Sequence, residues 1–167
     1  MTDVYPVTQQ FYAEVKMDNH NLLPPSGRTP IWRHITKAAE TGEFRLQVCQ
    51  HCQSVQYPPR ELCKDCLYDE LEWEKLSPEG EIISFTSLHA STDAFFREYL
   101  PRHLALVKLD CGPVLFTHAA YDDAKTGDRV TIINKRDLSG EGVFISLKNS
   151  EDQQTQLSQL NTLLLED

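Results

Sequence analysis

The sequence predicts a mainly β protein with flanking helices: an N-terminal helix, a rubredoxin-like zinc ribbon, and then a five-stranded OB-fold barrel. Three observations predict it. Two Cys-x-x-Cys steps, Cys49 with Cys52 and Cys63 with Cys66, are separated by the ten residues from Gln53 to Leu62. The chain beyond them changes to short, alternating apolar runs divided by glycine- and proline-containing turns. A helical pattern stands ahead of those runs instead of alternating with them, which argues against a parallel α/β sheet.

The cysteines carry the clearest chemistry. Each Cys-x-x-Cys step can form a tight knuckle, and two knuckles complete a tetrahedron of thiolates around one ion with Zn–S bonds of ~2.3 Å. Cys49, Cys52, Cys63 and Cys66 are therefore the expected metal ligands, and zinc is the expected structural cofactor. Iron fits the same sulfur set. Four sulfurs close the site and leave no open position for water or substrate, which argues against catalysis there. His51 lies inside the first knuckle and is expected to be an exposed residue, since four cysteines already suffice.

Length and charge bound the rest. A chain of 167 residues suits one compact domain, or a small module joined to a barrel. No apolar run approaches the ~20 residues needed to span a membrane, and the N-terminus has no basic-then-apolar signal pattern. A cytoplasmic protein is expected, in which paired cysteines hold metal more often than disulfides. The formal net charge is −9. Four thiolates around one divalent ion would take it to about −11. A polyanion would meet net repulsion, so no nucleic-acid partner is expected. The alternative reading, a nucleic-acid-binding ribbon and barrel module, also lacks basic residues interleaved with barrel aromatics.

Four segments follow. Residues 1–28 read as an arm and linker, with Thr8 capping a short helix over residues 9–17 and Pro24-Pro25-Ser26-Gly27 as the linker. Residues 29–76 hold the helix and the ribbon. Thr29-Pro30 opens the helix, Ile31, Trp32, Ile35, Ala38 and Ala39 form its apolar stripe, and Gly42 ends it. Residues 44–48 alternate straight into Cys49, and residues 55–57 return. Residues 77–149 form the barrel, with strands expected over 81–89, 104–110, 114–119, 129–133 and 143–147. Between the first two lies an excursion, residues 91–102, rich in aromatics: Phe95, Phe96 and Tyr99 either plug the barrel mouth or offer a docking or acyl-chain wall. Residues 150–167 form an amphipathic tail capped by Ser150, with a leucine face fit either to fold back on the barrel or to lie on a partner.

No catalytic residue is expected on this chain. Cys111 lies in a turn, Asp110-Cys111-Gly112-Pro113, with no base nearby in sequence, and no nucleophile elbow, phosphate loop or dinucleotide fingerprint occurs. His89, His103 and His118 lie on or near strands and are expected to pack there. Among scattered basic residues, which include Lys108 and Arg129, the adjacent pair Lys135 and Arg136 forms the local basic step near a barrel loop.

An ordered set of short motifs carries a resemblance. It comprises Pro30-Ile31-Trp32, Gly42-Glu43-Phe44-Arg45-Leu46 before the first knuckle, and Tyr57-Pro58-Pro59-Arg60 before the second. Leu71-Glu72-Trp73, Gly80-Glu81-Ile82, Leu106-Val107-Lys108-Leu109-Asp110 and Gly127-Asp128-Arg129-Val130 follow. Over residues 29–149 this resembles the zinc-ribbon plus OB-fold family, long catalogued as of unknown function, that accompanies thiolase-like enzymes. The resemblance implies a non-catalytic accessory subunit in a hetero-oligomer. Such a subunit binds a thiolase-superfamily protein and helps position or channel acyl-CoA for C–C bond formation or cleavage. Lys135 and Arg136 are then candidates for the CoA phosphates. The chain departs from the family pattern at Gln53 and Leu67, where glycine is frequent, and at Lys64, where proline is common.

Overall fold

The computed structural model describes residues 22–149 and 152–165. The helix expected over 9–17 and the cap expected at Ser150 lie outside the described residues. A 3-10 turn, Pro30–Trp32, runs into helix α1, Arg33–Glu40. The Thr29 side chain makes no cap hydrogen bond, contrary to expectation. The reason is local: Pro30 has no N–H, and the Trp32 amide donates to the Thr29 carbonyl at 2.9 Å, so the tight turn satisfies itself through backbone. Gly42, at φ 65°, ends the helix in the left-handed region, as its position suggested.

The ribbon is a three-stranded antiparallel sheet of order β2-β1-β3, built from β1 (Arg45–Cys49), β2 (Val55–Gln56) and β3 (Leu71–Lys75). Five further strands close a barrel of order β4-β5-β6-β8-β7: β4 (Glu79–Leu88), β5 (Arg102–Leu109), β6 (Val114–Ala119), β7 (Arg129–Arg136) and β8 (Gly142–Lys148). All five expected strands are present. Neighbouring strands run antiparallel except at the seam, where β6 and β8 run parallel through His118↔Ile145 and Ala119↔Ser146. A register shift between Ile82 and Ser84 bends the long β4 so that it can pair with both β5 and β7.

Ribbon and barrel share one core. Ile35 of α1 and Phe44 and Leu46 of the ribbon are buried in one cluster with Ile82, Val107, Leu109, Leu115, Val130, Ile132 and Phe144 of the barrel. Phe144 takes edge contacts from Phe44 and Tyr57 at centroid distances of 5.6 and 5.8 Å. The helix reaches the barrel at Gly142. The indole Nε1 of Trp32 donates to the Gly142 carbonyl at 3.0 Å, and the Gly142 amide donates to Thr36 Oγ1 at 3.0 Å. Asn134 Nδ2 adds a bond to the Ile35 carbonyl at 2.9 Å.

A second cluster covers the outside of the barrel. The aromatic excursion folds into helix α2 (Ala94–Glu98), capped by Asp93, whose carboxylate accepts from the Phe96 amide. Its Phe95 is buried on Val143, Ile145 and Leu147, together with Leu160, Leu163 and Leu164 of the tail. The excursion thus caps the outer face of β8 instead of plugging the barrel mouth. Of the two dispositions open to the tail, it takes the first and folds back. Its helix α3, Gln153–Ser158, is capped by Asp152, which accepts from the Thr155 amide at 2.9 Å. Strand β8 is buried at all seven positions because the barrel interior covers one face and this cluster the other.

The junction makes a prediction. A Cβ on Gly142 would lie 2.8 Å from the Thr36 backbone and 2.9 Å from the Ile35 carbonyl carbon, so α1 would have to move. Gly142→Ala is expected to cost about 1–3 kcal/mol. Urea unfolding, showing a lower midpoint at unchanged slope, is the measurement that checks it.

Candidate functional site

The two knuckles are near-copies in backbone terms. The Gln53 amide donates to the Cys49 carbonyl at 2.9 Å and the Cys49 amide to the Ser54 carbonyl at 3.0 Å. In the second knuckle the Leu67 amide donates to the Cys63 carbonyl at 3.0 Å, and the Cys63 amide to the Tyr68 carbonyl at 2.8 Å. This geometry needs a left-handed residue after the second cysteine of each step. Gln53 and Leu67 both supply it at φ 61°, without glycine. The unusual residues therefore bear on backbone strain, and the loops still close.

The four Sγ atoms converge within 4.8 Å of one another. Cys49 and Cys66 stand 3.5 Å apart, and Cys52 and Cys63 stand 3.6 Å apart. A tetrahedron with ~2.3 Å Zn–S bonds has an S···S edge of about 3.8 Å, so the set fits one such ion. None of the four is in a disulfide. Amide N–H groups of Cys66 and Asp65 point at the Cys63 sulfur and pull its pKa down to about 7, while burial and the neighbouring thiols push that of Cys66 up to about 12, so without an ion the four sulfurs share charge unevenly. His51 is exposed, packs its ring on Tyr68 at 5.1 Å, and stands outside the sulfur cluster.

Two buried glutamines hold the second knuckle in place, and the sequence reading missed them. Gln47 and Gln56 are directly paired across β1 and β2. Gln56 Nε2 donates to Gln47 Oε1 at 3.0 Å. Gln47 then takes the Arg60 amide at 2.9 Å and donates to the Arg60 carbonyl at 3.0 Å, while Gln56 takes the Lys64 amide at 2.9 Å. The alternation Phe44-Arg45-Leu46-Gln47-Val48 assigns Gln47 to solvent. The loop from Tyr57 to Leu62 covers that face instead.

A second site lies on the outer barrel face, roofed by α2 and the 24–28 segment. It is a cavity of about 260 Å³ with mainly apolar walls, including Phe96, Leu100, Leu104 and Phe116. Arg102, Arg28, His118 and Asp137 also line it. Arg102 is 6% exposed. Its guanidinium lies over the Phe96 ring at 5.2 Å and approaches His118 Nδ1 at 3.4 Å. Burial, with Arg102 and Arg28 close by, pushes the His118 pKa down to about 3, so the imidazole is neutral. Beside the cavity mouth the outer face continues as exposed apolar surface, with Leu106 and Phe116 paired across β5 and β6 at 39% and 49% exposure.

The remaining expected residues disperse. Lys135 and Arg136 end β7, and Arg136 lies 3.9 Å from Glu40; neither lines the outer-face cavity. Arg129 grips Asp110 with two bonds of 2.8 and 2.6 Å, and Lys108 bonds the Gly112 carbonyl. His103 bonds Ser87 at 2.9 Å, and His89 is exposed. Cys111 sits in the β5–β6 turn, where burial raises its pKa and keeps it a thiol.

A zinc-ribbon geometry fused through a shared core to an OB barrel defines a two-module class of protein. Residues 36–72 match the rubredoxin-like zinc ribbon domain of ChsH2, and residues 73–134 match the C-terminal OB-fold domain of ChsH2. A DUF35 domain-containing scaffold protein of Methanothermobacter thermautotrophicus is 30% identical over 110 residues, 63% of this chain and 79% of the relative. One of Methanocaldococcus jannaschii is 30% identical over 82 residues, 48% of this chain and 55% of the relative. Among solved structures, the Ltp2-ChsH2(DUF35) aldolase has a TM-score of 0.63 at 19% identity, covering 75% of this chain and 98% of that one. A DUF35 protein of unknown function from Sulfolobus solfataricus has a TM-score of 0.52 at 17% identity, covering 72% and 86%. The chain belongs to the family of DUF35 domain-containing scaffold proteins.

Three outcomes are expected for the ribbon. Freshly purified, reduced protein carries one zinc per chain by elemental analysis, and Cys63→Ser loses the metal and lowers the melting temperature. Leu67 is 73% exposed, so little packing is lost on its removal. Leu67→Gly relieves the left-handed conformation and raises stability by about 1 kcal/mol, read by urea denaturation of the zinc-loaded protein.

Proposed function

We propose that this protein is a non-catalytic accessory subunit that docks on a thiolase-superfamily enzyme and helps position or channel its acyl-CoA. The observation that carries the proposal is the exposed apolar surface of the outer barrel face. Leu106 and Phe116 face solvent side by side, and Leu88 and Val114, on strands β4 and β6, are also exposed. Adjacent exposed apolar side chains on a rigid sheet suit burial against another protein. Membership of a family of scaffold proteins and likeness of fold to a subunit named with an aldolase support the same reading. In it, Cys49, Cys52, Cys63 and Cys66 hold a structural zinc, and Lys135 and Arg136 meet the phosphates of CoA. The hetero-oligomer works in the cytoplasm, where thiols stay reduced. Among the described residues, no helix is long and apolar enough to cross a membrane.

Affinity purification of the tagged full-length chain from its native host tests the proposal. A thiolase-like companion is expected in the eluate. The double variant Leu106→Asp with Phe116→Asp is expected to lose it while keeping its zinc. Replacement of Lys135 and Arg136 by Ala is expected to weaken acyl-CoA binding to the complex several-fold, since each removes a charge-assisted contact. Recovery of the chain alone, with no response to acyl-CoA, would sink the reading.

A further inference from the structure

The outer-face cavity holds a cation whose charge no described residue pairs at contact distance. Arg102 is nine-tenths buried, and its Nε has no hydrogen-bond partner among the described residues. Its one side-chain hydrogen bond there is the 3.4 Å approach to His118. Burying a guanidinium costs free energy unless a carboxylate or comparable acceptor meets it. The acid on the cavity wall, Asp137, is engaged elsewhere: its Oδ1 accepts from the Ser139 amide, the Ser139 hydroxyl and the Glu141 amide at 2.9, 2.7 and 3.0 Å.

The lining also sets the charge of what fits. Arg28 and Arg102 supply two positive charges, Asp137 one negative, and the rest of the wall is neutral or apolar, which leaves a surplus of one. That balance suits a single anionic head and gives a polyphosphate little to bind. The apolar walls suit a compact hydrocarbon body, and about 260 Å³ lies near the small end of ligand pockets. We infer that this cavity is a binding site for a small monocarboxylate, its carboxylate laid on the guanidinium of Arg102 and within reach of Arg28, its apolar body against Phe96, Leu104 and Phe116. The site is separate from the Lys135–Arg136 step and stands whether or not the chain docks on a thiolase-like enzyme.

Isothermal titration of the zinc-loaded full-length chain at pH 7 tests this, with hexanoate, hexanol and hexylamine as probes. Hexanoate is expected to bind, hexanol at least about tenfold more weakly, and hexylamine more weakly still, because a charge-assisted bond to Arg102 separates them. Arg102→Leu is expected to reduce hexanoate affinity by about tenfold or more without weakening hexanol. Arg28 is exposed, with its guanidinium 5.4 Å from the Trp32 ring, so Arg28→Leu carries the test without altering a buried side chain, and a loss of several-fold is expected. Equal affinity for hexanoate and hexanol would overturn the inference, as would hexanoate affinity unchanged in both variants. So would the absence of hexanoate binding to the unaltered chain, the result if one of its own carboxylates fills the cavity.

Discussion

The approach of two backbones at Gly142 sets the rest of the structure. Helix α1 can lie against the barrel only because no Cβ stands between Gly142 and Thr36. The gap is then filled by polar contacts, from the Trp32 indole to the Gly142 carbonyl and from the Gly142 amide to the Thr36 hydroxyl. These fix the helix, and the helix leads into β1, which ends in the first metal-site cysteine. Ile35, Phe44 and Leu46 enter the barrel core as a result. A ribbon this small has little apolar surface of its own, and sharing a core gives it a share of a larger domain's stability.

Much of this architecture was legible in the residues. The cysteine spacing marked the ribbon because a tetrahedral thiolate site constrains sequence tightly. The barrel strands were legible because each is short, alternates, and is bounded by turn residues such as those of Gly112-Pro113 and Thr126-Gly127. The misses share a cause. Gln47 sits on the strand face that alternation assigns to solvent, Arg102 falls at the end of the aromatic excursion, and Val143 opens an expected strand; another segment covers each. The loop after Tyr57 buries Gln47, helix α2 roofs Arg102, and the tail leucines cover Val143. Local period reports the strand and cannot report its lid.

The same limit explains the outer-face cavity. Its lining is drawn from the 24–28 segment, β4, α2, β5, β6, β8 and the tail, and no short window of sequence contains more than a few of its residues. Sequence singled out the Lys135-Arg136 step because its charges are adjacent. The structure singles out Arg28 and Arg102, more than seventy residues apart in the chain, because they line one cavity. The exposed apolar surface and the cavity meet on this side of the barrel, with Leu88 and Phe116 at once exposed and part of the cavity wall.

The glutamine pair gives the ribbon a further property: its metal site is not a portable cassette. Cysteines at the same spacing, grafted onto another hairpin, would bring the ligands without the clasp that orients the second loop. The Arg60 amide and carbonyl and the Lys64 amide find their acceptors and donor in Gln47 and Gln56. With apolar residues at those two positions, these backbone groups would have to seek water, and the loop would choose its own path to the metal. Sulfur spacing thus marks a metal site, and two uncharged amides decide the shape around it.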